Sequence, residues 1–301
     1  MTRIETFLQT KKMSALNDFY VTLPSNVTSK VHNNKTSHFF TELPKPIELD
    51  KESWEVALVE IDYPRSWYNV QQNAYKVTFS KFLVDNSTVM YKQPIVLKHG
   101  YYIEEREILR EIEETKNPTF KTRISYDNVS RKTFIRLADR ESITISKPLS
   151  QMIGFLDFVD ERHWSFNTFH MGNTYYKTTI INDKTVVPPE DVLQPLKNEK
   201  VYAQKAFDLS SGLHSIYIYS NIVDDCVVGN TVAPLLRTVL VEGNYGDFVQ
   251  KTYIHPHYLP ISYNRINDIE ISLRDDLGNL IPFEFGKVLV KLHFRRKRIL
   301  F

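Results

Sequence analysis

The chain has 301 residues, and its composition limits the classes of protein to which it can belong. Hydrophobic residues make up 42% of it, so it is not an intrinsically disordered chain, and its length allows a substantial core. The formal net charge of +2, from 38 basic and 36 acidic residues, lacks the basic excess of a dedicated nucleic-acid-binding protein. The single cysteine excludes an intrachain disulfide.

The first sixteen residues differ in character from the rest of the chain. Residues 1–16 are polar and of mixed charge, which predicts a flexible N-terminal arm. They lack the apolar core of a secretory signal, and no run of about 18 apolar residues predicts a membrane span. We therefore expect a protein that is made and assembled inside a cell.

Strand patterns begin directly after this arm. Residues 19–23 form a short strand pattern that Pro24 closes, and residues 54–61 are apolar on both faces. A strand with two apolar faces is typical of the centre of a sheet that is covered on both sides. Residues 75–82 and 88–97 predict two further strands.

One helix is predicted, over about residues 102–115. Its apolar side chains recur at Ile108, Leu109 and Ile112, glutamates are concentrated near its start, and Pro118 lies beyond its end. This combination of an apolar stripe, early acidic residues and a late proline is typical of an amphipathic surface helix.

Shorter elements come after the helix. Residues 120–126 and 133–137 predict a hairpin, and residues 149–155 predict a single helical turn that Gly154 ends. From 157 to 200 the pattern weakens: aromatic residues are interleaved with asparagine and histidine, and Pro188 with Pro189 marks a loop.

The last third of the chain again alternates between two kinds of side chain. Residues 215–220, 268–273 and 287–294 each place aliphatic side chains on one face and polar or tyrosine side chains on the other. Residues 275–279 have the composition of a turn. Many strands at this spacing predict a β-sandwich or a barrel.

The sequence contains no group of residues that is typical of an enzyme or a metal site. Cys226 follows two aspartates, which disfavour a thiolate, so we interpret it as a buried structural cysteine. His255 and His257 would share a face in an extended segment, but they lack a nearby cysteine or carboxylate cluster and favour a surface or interface role. Glu270 and the acids near it predict a solvated face. We therefore predict no catalytic, cofactor-binding or metal-binding residues.

Four adjacent cations come after the last predicted strand: Arg295, Arg296, Lys297 and Arg298. Such a run can contact the phosphates of a nucleic acid without sequence specificity, act as a nuclear-targeting patch, or form a plain solvated end. The residues alone leave these alternatives open. The apolar residues 299–301 after the run indicate that this tail docks on another surface.

Nine short motifs are spread over residues 17–295. They are FYVTLPSN (19–26), FTELP (40–44), WEVALVEI (54–61) with YP (63–64), GYY (100–102), IGF (153–155), APLLR (233–237), YLPI (258–261), IEI (269–271) and PFEFG (282–286). On these motifs the chain resembles the minor capsid (penton) proteins of Polinton/Maverick elements, adintoviruses and related virophages. The region 157–200 contributes nothing to the resemblance.

The resemblance implies a fold and a role. It implies an all-β protein, a jelly-roll β-sandwich with an inserted β-rich segment that contains one helix. It also implies homopentamers at the vertices of an icosahedral virion, surrounded by the double jelly-roll major capsid protein, and a non-enzymatic role. We expect residues 17–98 and 201–301 to form the jelly roll and 99–200 to be an insertion or a second small domain. The basic tail would then contact nucleic acid or the particle interior.

A second interpretation is a β-sandwich that recognises a receptor or a carbohydrate. Exposed aromatic side chains such as Trp67, Tyr68 and Trp164 would then line a groove. Packing in a core explains the same residues, so their exposure distinguishes the two interpretations.

Overall fold

The computed structural model describes residues 17–28, 32–82, 89–138, 141–155, 164–171, 174–181, 184–186, 200–210 and 212–297. The backbone alone is described over 164–186. The predicted arm over 1–16, Arg298 and most of the weakly patterned region 157–200 therefore lie outside the described residues.

The strands, in chain order, are β1 (Asp18–Pro24), β2 (His38–Glu48), β3 (Trp54–Pro64), β4 (Lys76–Phe82), β5 (Val89–Val96), β6 (Arg123–Asp127), β7 (Lys132–Arg136), β8 (Glu141–Ile145), β9 (Trp164–Met171), β10 (Thr174–Ile181), β11 (Lys184–Val186), β12 (Lys200–Tyr202), β13 (Ser215–Ser220), β14 (Cys226–Val228), β15 (Thr231–Ala233), β16 (Leu235–Leu240), β17 (Phe248–Thr252), β18 (Leu259–Pro260), β19 (Arg265–Arg274) and β20 (Leu289–Arg296). The helices are α1 (Glu105–Thr115) and α2 (Lys147–Met152).

The chain divides into two compact units. The first comprises Met1–Trp67 with Leu213–Phe301, and the second is Tyr68–Gly212. The boundaries at 98 and 201 that the sequence led us to expect differ from these. Strand β4 pairs with β5 and β8, and its Val77 and Phe79 lie in the core of the second unit, so the first boundary falls at residues 67 and 68.

Eight strands of the first unit form two antiparallel sheets. One sheet has the order β1-β20-β3-β17 and the other β16-β13-β19-β2. Numbered within this unit, the two orders are 1-8-3-6 and 5-4-7-2, which is the strand order of a jelly roll. The predicted all-β jelly-roll fold is therefore confirmed. The short strand β18 pairs with β3 beside this arrangement, and β14 and β15 form a separate hairpin.

The core of the first unit lies between these two sheets. Strand β3 is central, as the two apolar faces of residues 54–61 predict, because β20 pairs on one side and β17 and β18 on the other. Alternation of side chains along a strand places every second residue in the core. The alternating side chains that are fully buried include Ile216 and Ile218 of β13, Ile269, Ile271 and Leu273 of β19, and Val290, Leu292 and Phe294 of β20.

The second unit contains a six-stranded sheet, a three-stranded sheet and both helices. Helix α1 confirms the prediction over 102–115, although it begins at Glu105. Tyr102 stays outside the helix because its N–H donates to Asn69 Oδ1 and its carbonyl accepts from Asn69 Nδ2, each at 2.9 Å. The predicted apolar stripe of α1, Ile108 with Leu109 and Ile112, is buried.

Helix α2 is followed by a glycine that its surroundings require. Gly154 has a φ of +86°, and a Cβ at this position would lie 2.2 Å from the carbonyl oxygen of Lys205. A side chain would therefore collide with backbone that cannot move away cheaply, and the left-handed conformation itself favours glycine. This explains why the IGF motif ends the short helix.

Candidate functional site

Two of the four cations of the predicted basic tail, Arg295 and Arg296, belong to the last strand. Arg295 belongs to β20, and its Nε donates to Glu55 Oε1 at 2.7 Å. Its guanidinium carbon lies 3.3 Å from the centre of the Tyr258 ring. Both charged side chains are mostly buried, at 26% and 17% exposure. The charge of Arg295 is therefore engaged within the jelly roll.

The next two cations are held through their backbone and remain closer to solvent. Arg296 is exposed, lies 5.8 Å from the Trp54 ring, and donates its N–H to the carbonyl of Asn17 at 3.0 Å. Lys297 donates its N–H to Ser53 O at 2.8 Å and its Nζ to Lys51 O at 3.2 Å. Both residues therefore lie at the end of the sheet where β20 ends, while Arg298 lies outside the described residues.

His293 sits beside this end on the face that the sequence predicts to be polar. Its ring stacks on Tyr20 with 4.4 Å between centroids, and its Nδ1 lies 2.7 Å from the Tyr258 hydroxyl. Burial, helped by the charge of Arg295, lowers the pKa of His293, while Asp18 opposes this shift. The outward face of β20 is therefore partly covered, with a histidine that favours its neutral form.

The opposite end of the jelly roll carries three aromatic side chains at its surface, Tyr245, Phe248 and Phe285, which we name the aromatic patch. Phe248 is 65% exposed and Phe285 43% exposed, and Tyr245 is half-buried. The rings of Tyr245 and Phe285 meet edge to face at 6.0 Å. Exposed aromatic groups of this kind are enriched at protein–protein interfaces.

Gly286 holds the chain close to this patch. It has a φ of +86°, and a Cβ there would lie 2.9 Å from Pro64 and 3.3 Å from the Phe248 ring. The PFEFG motif therefore needs its glycine so that the backbone can approach Pro64 and hold Phe285 at the surface. The aromatic patch was not predicted from the sequence, and this motif is the signal that could have found it.

The cysteine and histidines singled out from the sequence lie on the first unit. Cys226 is half-buried, which corrects the prediction of a buried cysteine. It belongs to the β14–β15 hairpin, whose Val227 and Val232 are 78% and 63% exposed, because the hairpin stands apart from the two main sheets. His255 and His257 are exposed. Among the described residues no group of three or more potential metal ligands occurs.

The acidic residues near β19 engage in structural contacts. Glu270 Oε1 lies 2.8 Å from His38 Nε2 across the β2–β19 pairing, and both side chains are about one-third exposed. Asp275 caps the turn before Asn279, accepting its backbone N–H at 2.7 Å. These residues stabilise strand pairing and turn geometry.

Of the aromatic residues considered for a binding groove, Trp67 lies in the core. It is 2% exposed and packs edge to face on Phe283 at 5.6 Å. Tyr68 is half-buried and meets His99 edge to face at 4.7 Å. The side chain of Trp164 lies outside the described residues.

Comparisons with known proteins give similarity to solved structures alone. No family model matches the chain, and no curated protein matches it. The penton protein of mavirus is similar over 93% of this chain and 99% of its own, with 14% identity and a TM-score of 0.46. A chain in the cryo-EM structure of the Sputnik virophage is similar over 93% of this chain and 98% of its own, with 12% identity and a TM-score of 0.42. None of the described helices is long and apolar enough to cross a membrane.

Proposed function

We propose that this chain is a structural capsid protein of the penton type, which forms pentamers at the vertices of an icosahedral particle. The observation that carries this proposal is the jelly-roll strand order of the first unit, since capsid domains use this fold. Seven of the nine penton-like motifs lie in this unit, among them residues 54–61 in β3, 233–237 at the start of β16, 258–261 around β18 and 269–271 in β19, whereas 100–102 and 153–155 lie in the second unit.

A fold alone does not determine a role, because jelly rolls also occur in lectins. The surface of the first unit supports assembly with other proteins. A pentamer is a ring of identical heterologous contacts, so each copy needs two different complementary surfaces. We propose the aromatic patch as one of these, because Phe248 and Phe285 are 65% and 43% exposed in the single chain.

The wider assembly belongs to the same proposal. The partner would be a double jelly-roll major capsid protein, and the location would be the capsid vertex of a virion assembled in a host cell. Co-expression with such a major capsid protein, followed by sedimentation, tests this. We expect the chain to co-sediment with particles and to be released when the vertices are removed. A chain that stays in the soluble fraction while particles form would contradict the proposal.

Contact with nucleic acid or the particle interior is a separate proposal for the end of β20. Arg296 is exposed and Lys297 is partly exposed, whereas Arg295 is paired with Glu55. Binding of a single-stranded oligonucleotide should be weak and should fall with salt, and replacing both residues by glutamine should lower the salt slope by about 1.4. An unchanged slope would place the contact elsewhere.

The alternative function is a receptor- or carbohydrate-binding module, and one of the aromatic residues named for its groove does not fit that role. Trp67 is buried and packs on Phe283, so it does not line an open groove. Tyr68 keeps part of its ring at the surface. A glycan array with the purified chain tests this alternative, and specific binding there would favour it over a purely structural role.

A further inference from the structure

A crevice opens in the first unit between β16, the outer strand of one sheet, and β18, which pairs with β3 of the other sheet. It has a volume of about 360 Å³, within the range of ligand sites. Leu235, Leu236 and Leu259 make an apolar wall, and Arg237 and Cys226 line the crevice beside them. None of the described residues that line it is acidic, so its apolar wall is combined with a positive charge that no acid in the crevice matches.

Arg237 has capacity for a further partner. Its guanidinium stacks on the ring of Tyr253, with 3.5 Å from the guanidinium carbon to the centre of the ring. Its Nη1 is buried and has no hydrogen-bond partner among the described residues. A buried donor without a partner costs free energy, and a carboxylate that enters the crevice would supply the charge-assisted bond that is missing.

A turn elsewhere on the same unit displays a carboxylate and an apolar side chain together. The N–H of Gly278 donates to the carbonyl of Asp275 at 3.2 Å, so Asp276 and Leu277 are the two central residues of a four-residue turn. Both are exposed, and Leu277 is 82% exposed. The tip of this turn therefore presents the two kinds of group, acidic and aliphatic, that Arg237 and the leucine wall accept.

Hydrogen bonds within the turn hold its tip in one conformation. Asp275 Oδ1 accepts the backbone N–H groups of Leu277 and Asn279, at 2.9 and 2.7 Å. Arg274 Nη1 donates to the carbonyl of Gly278 at 2.7 Å. A segment that is already ordered loses little conformational entropy when it binds, so this tip is suited to insert into a crevice that is already formed.

The turn and the crevice are too far apart to meet within one chain. Arg237 pairs with Ile218, which pairs with Leu273, so Arg237 and Leu273 lie two strand spacings or roughly 10 Å apart. Asp276 comes three residues later, roughly 10 Å further along the direction of β19. Two different surfaces of one copy therefore carry complementary chemistry, as the heterologous contact of a ring requires.

We propose that the tip of this turn in one copy of the chain docks into the crevice of the next copy, with Asp276 on Arg237 and Leu277 against the leucine wall. This inference rests on the proposed pentamer and names residues on both sides of its subunit contact. It also gives the unpaired Nη1 of Arg237 an acceptor, which the single chain lacks.

The turn lies at the same end of the jelly roll as the aromatic patch. Arg274, where β19 ends, pairs with Tyr217 near the start of β13, and that start pairs with Leu240. The carbonyl of Leu240 accepts from the Tyr63 hydroxyl at 3.4 Å, and Tyr63 belongs to the stretch of β3 that pairs with β17 next to Phe248. One neighbouring copy can therefore contact both the turn and the patch.

The native thiol provides the test, because Cys226 is the only cysteine of the sequence and lines the crevice. In the full chain carrying Leu277→Cys, mild oxidation should form a disulfide between the introduced thiol of one chain and Cys226 of another, identified by mass spectrometry of the digested cross-linked bands. The matched control is Val129→Cys. Val129 is 95% exposed and lies in a turn of similar build, in which Asp127 Oδ1 accepts its N–H at 3.0 Å. The cross-link to Cys226 should form at least about tenfold faster in Leu277→Cys than in this control, because docking raises the effective concentration of the two thiols.

A second measurement avoids introduced cysteines. Asp276→Asn should raise the dissociation constant of the subunit contact about tenfold, the factor for weakening one charge-assisted hydrogen bond, in sedimentation velocity over a concentration series. Glu114→Gln, at an exposed position on α1, should leave this constant unchanged. Asp276 is itself exposed, so its replacement leaves the fold of the single chain intact.

The outcomes separate this inference from the proposed function. Pentamers in native mass spectrometry, combined with equal cross-linking rates in Leu277→Cys and Val129→Cys or an unchanged dissociation constant in Asp276→Asn, would overturn the turn–crevice contact and leave the pentamer standing. A chain that stays monomeric and forms no cross-link to Cys226 would overturn both.

Discussion

At the scale of single residues, the end of β20 shows how contacts change the meaning of a sequence pattern. A run of four cations predicts a solvated or nucleic-acid-binding tail, yet Arg295 is enclosed by Glu55 and Tyr258. The run could not reveal this, because its partners come from β3 and from the segment before β18, which are remote in sequence. The alternation of β20 did predict its buried face correctly.

His293 gives a pH dependence that can be measured at this scale. Its pKa in the folded protein lies below the ordinary value of 6.5, because of burial and the charge of Arg295. As pH falls below 6.5, the histidine takes up a proton in the unfolded chain, whereas the folded chain resists its protonation. The free energy of unfolding therefore decreases. Urea denaturation from about pH 7.5 to about pH 5.5 should show this loss.

The matched variants assign the effect. His293→Gln should flatten the loss, whereas His255→Gln, at an exposed position, should keep it. Tyr20, Tyr258 and Asp18 surround His293 and are intact in both variants. If both variants retain the native pH dependence, the histidine is not its source.

At the scale of elements, the alternation of side chains predicted where strands occur, but it did not predict which strands pair with one another. Residues 75–82 and 88–97 were correctly predicted as strands, but their pattern fits either sheet equally well. Their assignment to the second unit depends on pairing with β8, more than 40 residues later in the chain. Similarly, Cys226 was interpreted as a buried structural cysteine, although it lies in a hairpin that stands outside the two sheets.

Strand β8 also begins with a buried carboxylate that fixes an adjoining loop. Glu141 is 1% exposed and accepts the backbone N–H groups of Lys121 and Thr122, at 3.0 and 2.8 Å. Glu141→Gln should lower the free energy of unfolding of the second unit by about 2 kcal/mol, because charged acceptors bind N–H groups more strongly than neutral ones. Chemical denaturation monitored by hydrogen exchange over 120–145 measures it.

The control for this prediction is Glu114→Gln on helix α1. Glu114 is exposed, so removing its charge should change stability by less than about 0.5 kcal/mol. Equal effects of the two substitutions would show that the buried hydrogen bonds of Glu141 contribute little.

At the scale of the whole molecule, the sequence motifs and the strand order agree on a jelly roll, and the aromatic patch supplies a surface for assembly. Phe248→Ser with Phe285→Ser should raise the dissociation constant of the subunit contact by at least about 30-fold, because truncating a central aromatic contact costs about 2 kcal/mol or more. Stability of the single chain should hardly change, since both rings are already exposed. Sedimentation velocity over a concentration series measures this.

Ile254→Ser is the control for the patch. Ile254 is 86% exposed and follows β17 at the end away from Phe248, so its replacement should leave assembly intact. Loss of assembly in the Ile254→Ser variant alone would show that the subunit contact lies at the other end of the jelly roll. The patch could not be predicted from spacing, because its rings come from two loops and a strand start whose proximity depends on the folded sandwich.

Native mass spectrometry of the purified full chain tests the central claim most directly. A penton-type protein predicts a complex with the mass of five 35.4 kDa chains, whose population falls on dilution and in the Phe248→Ser, Phe285→Ser variant. A chain that remains monomeric at every concentration, or that forms only dimers, would contradict the proposed role at the vertex.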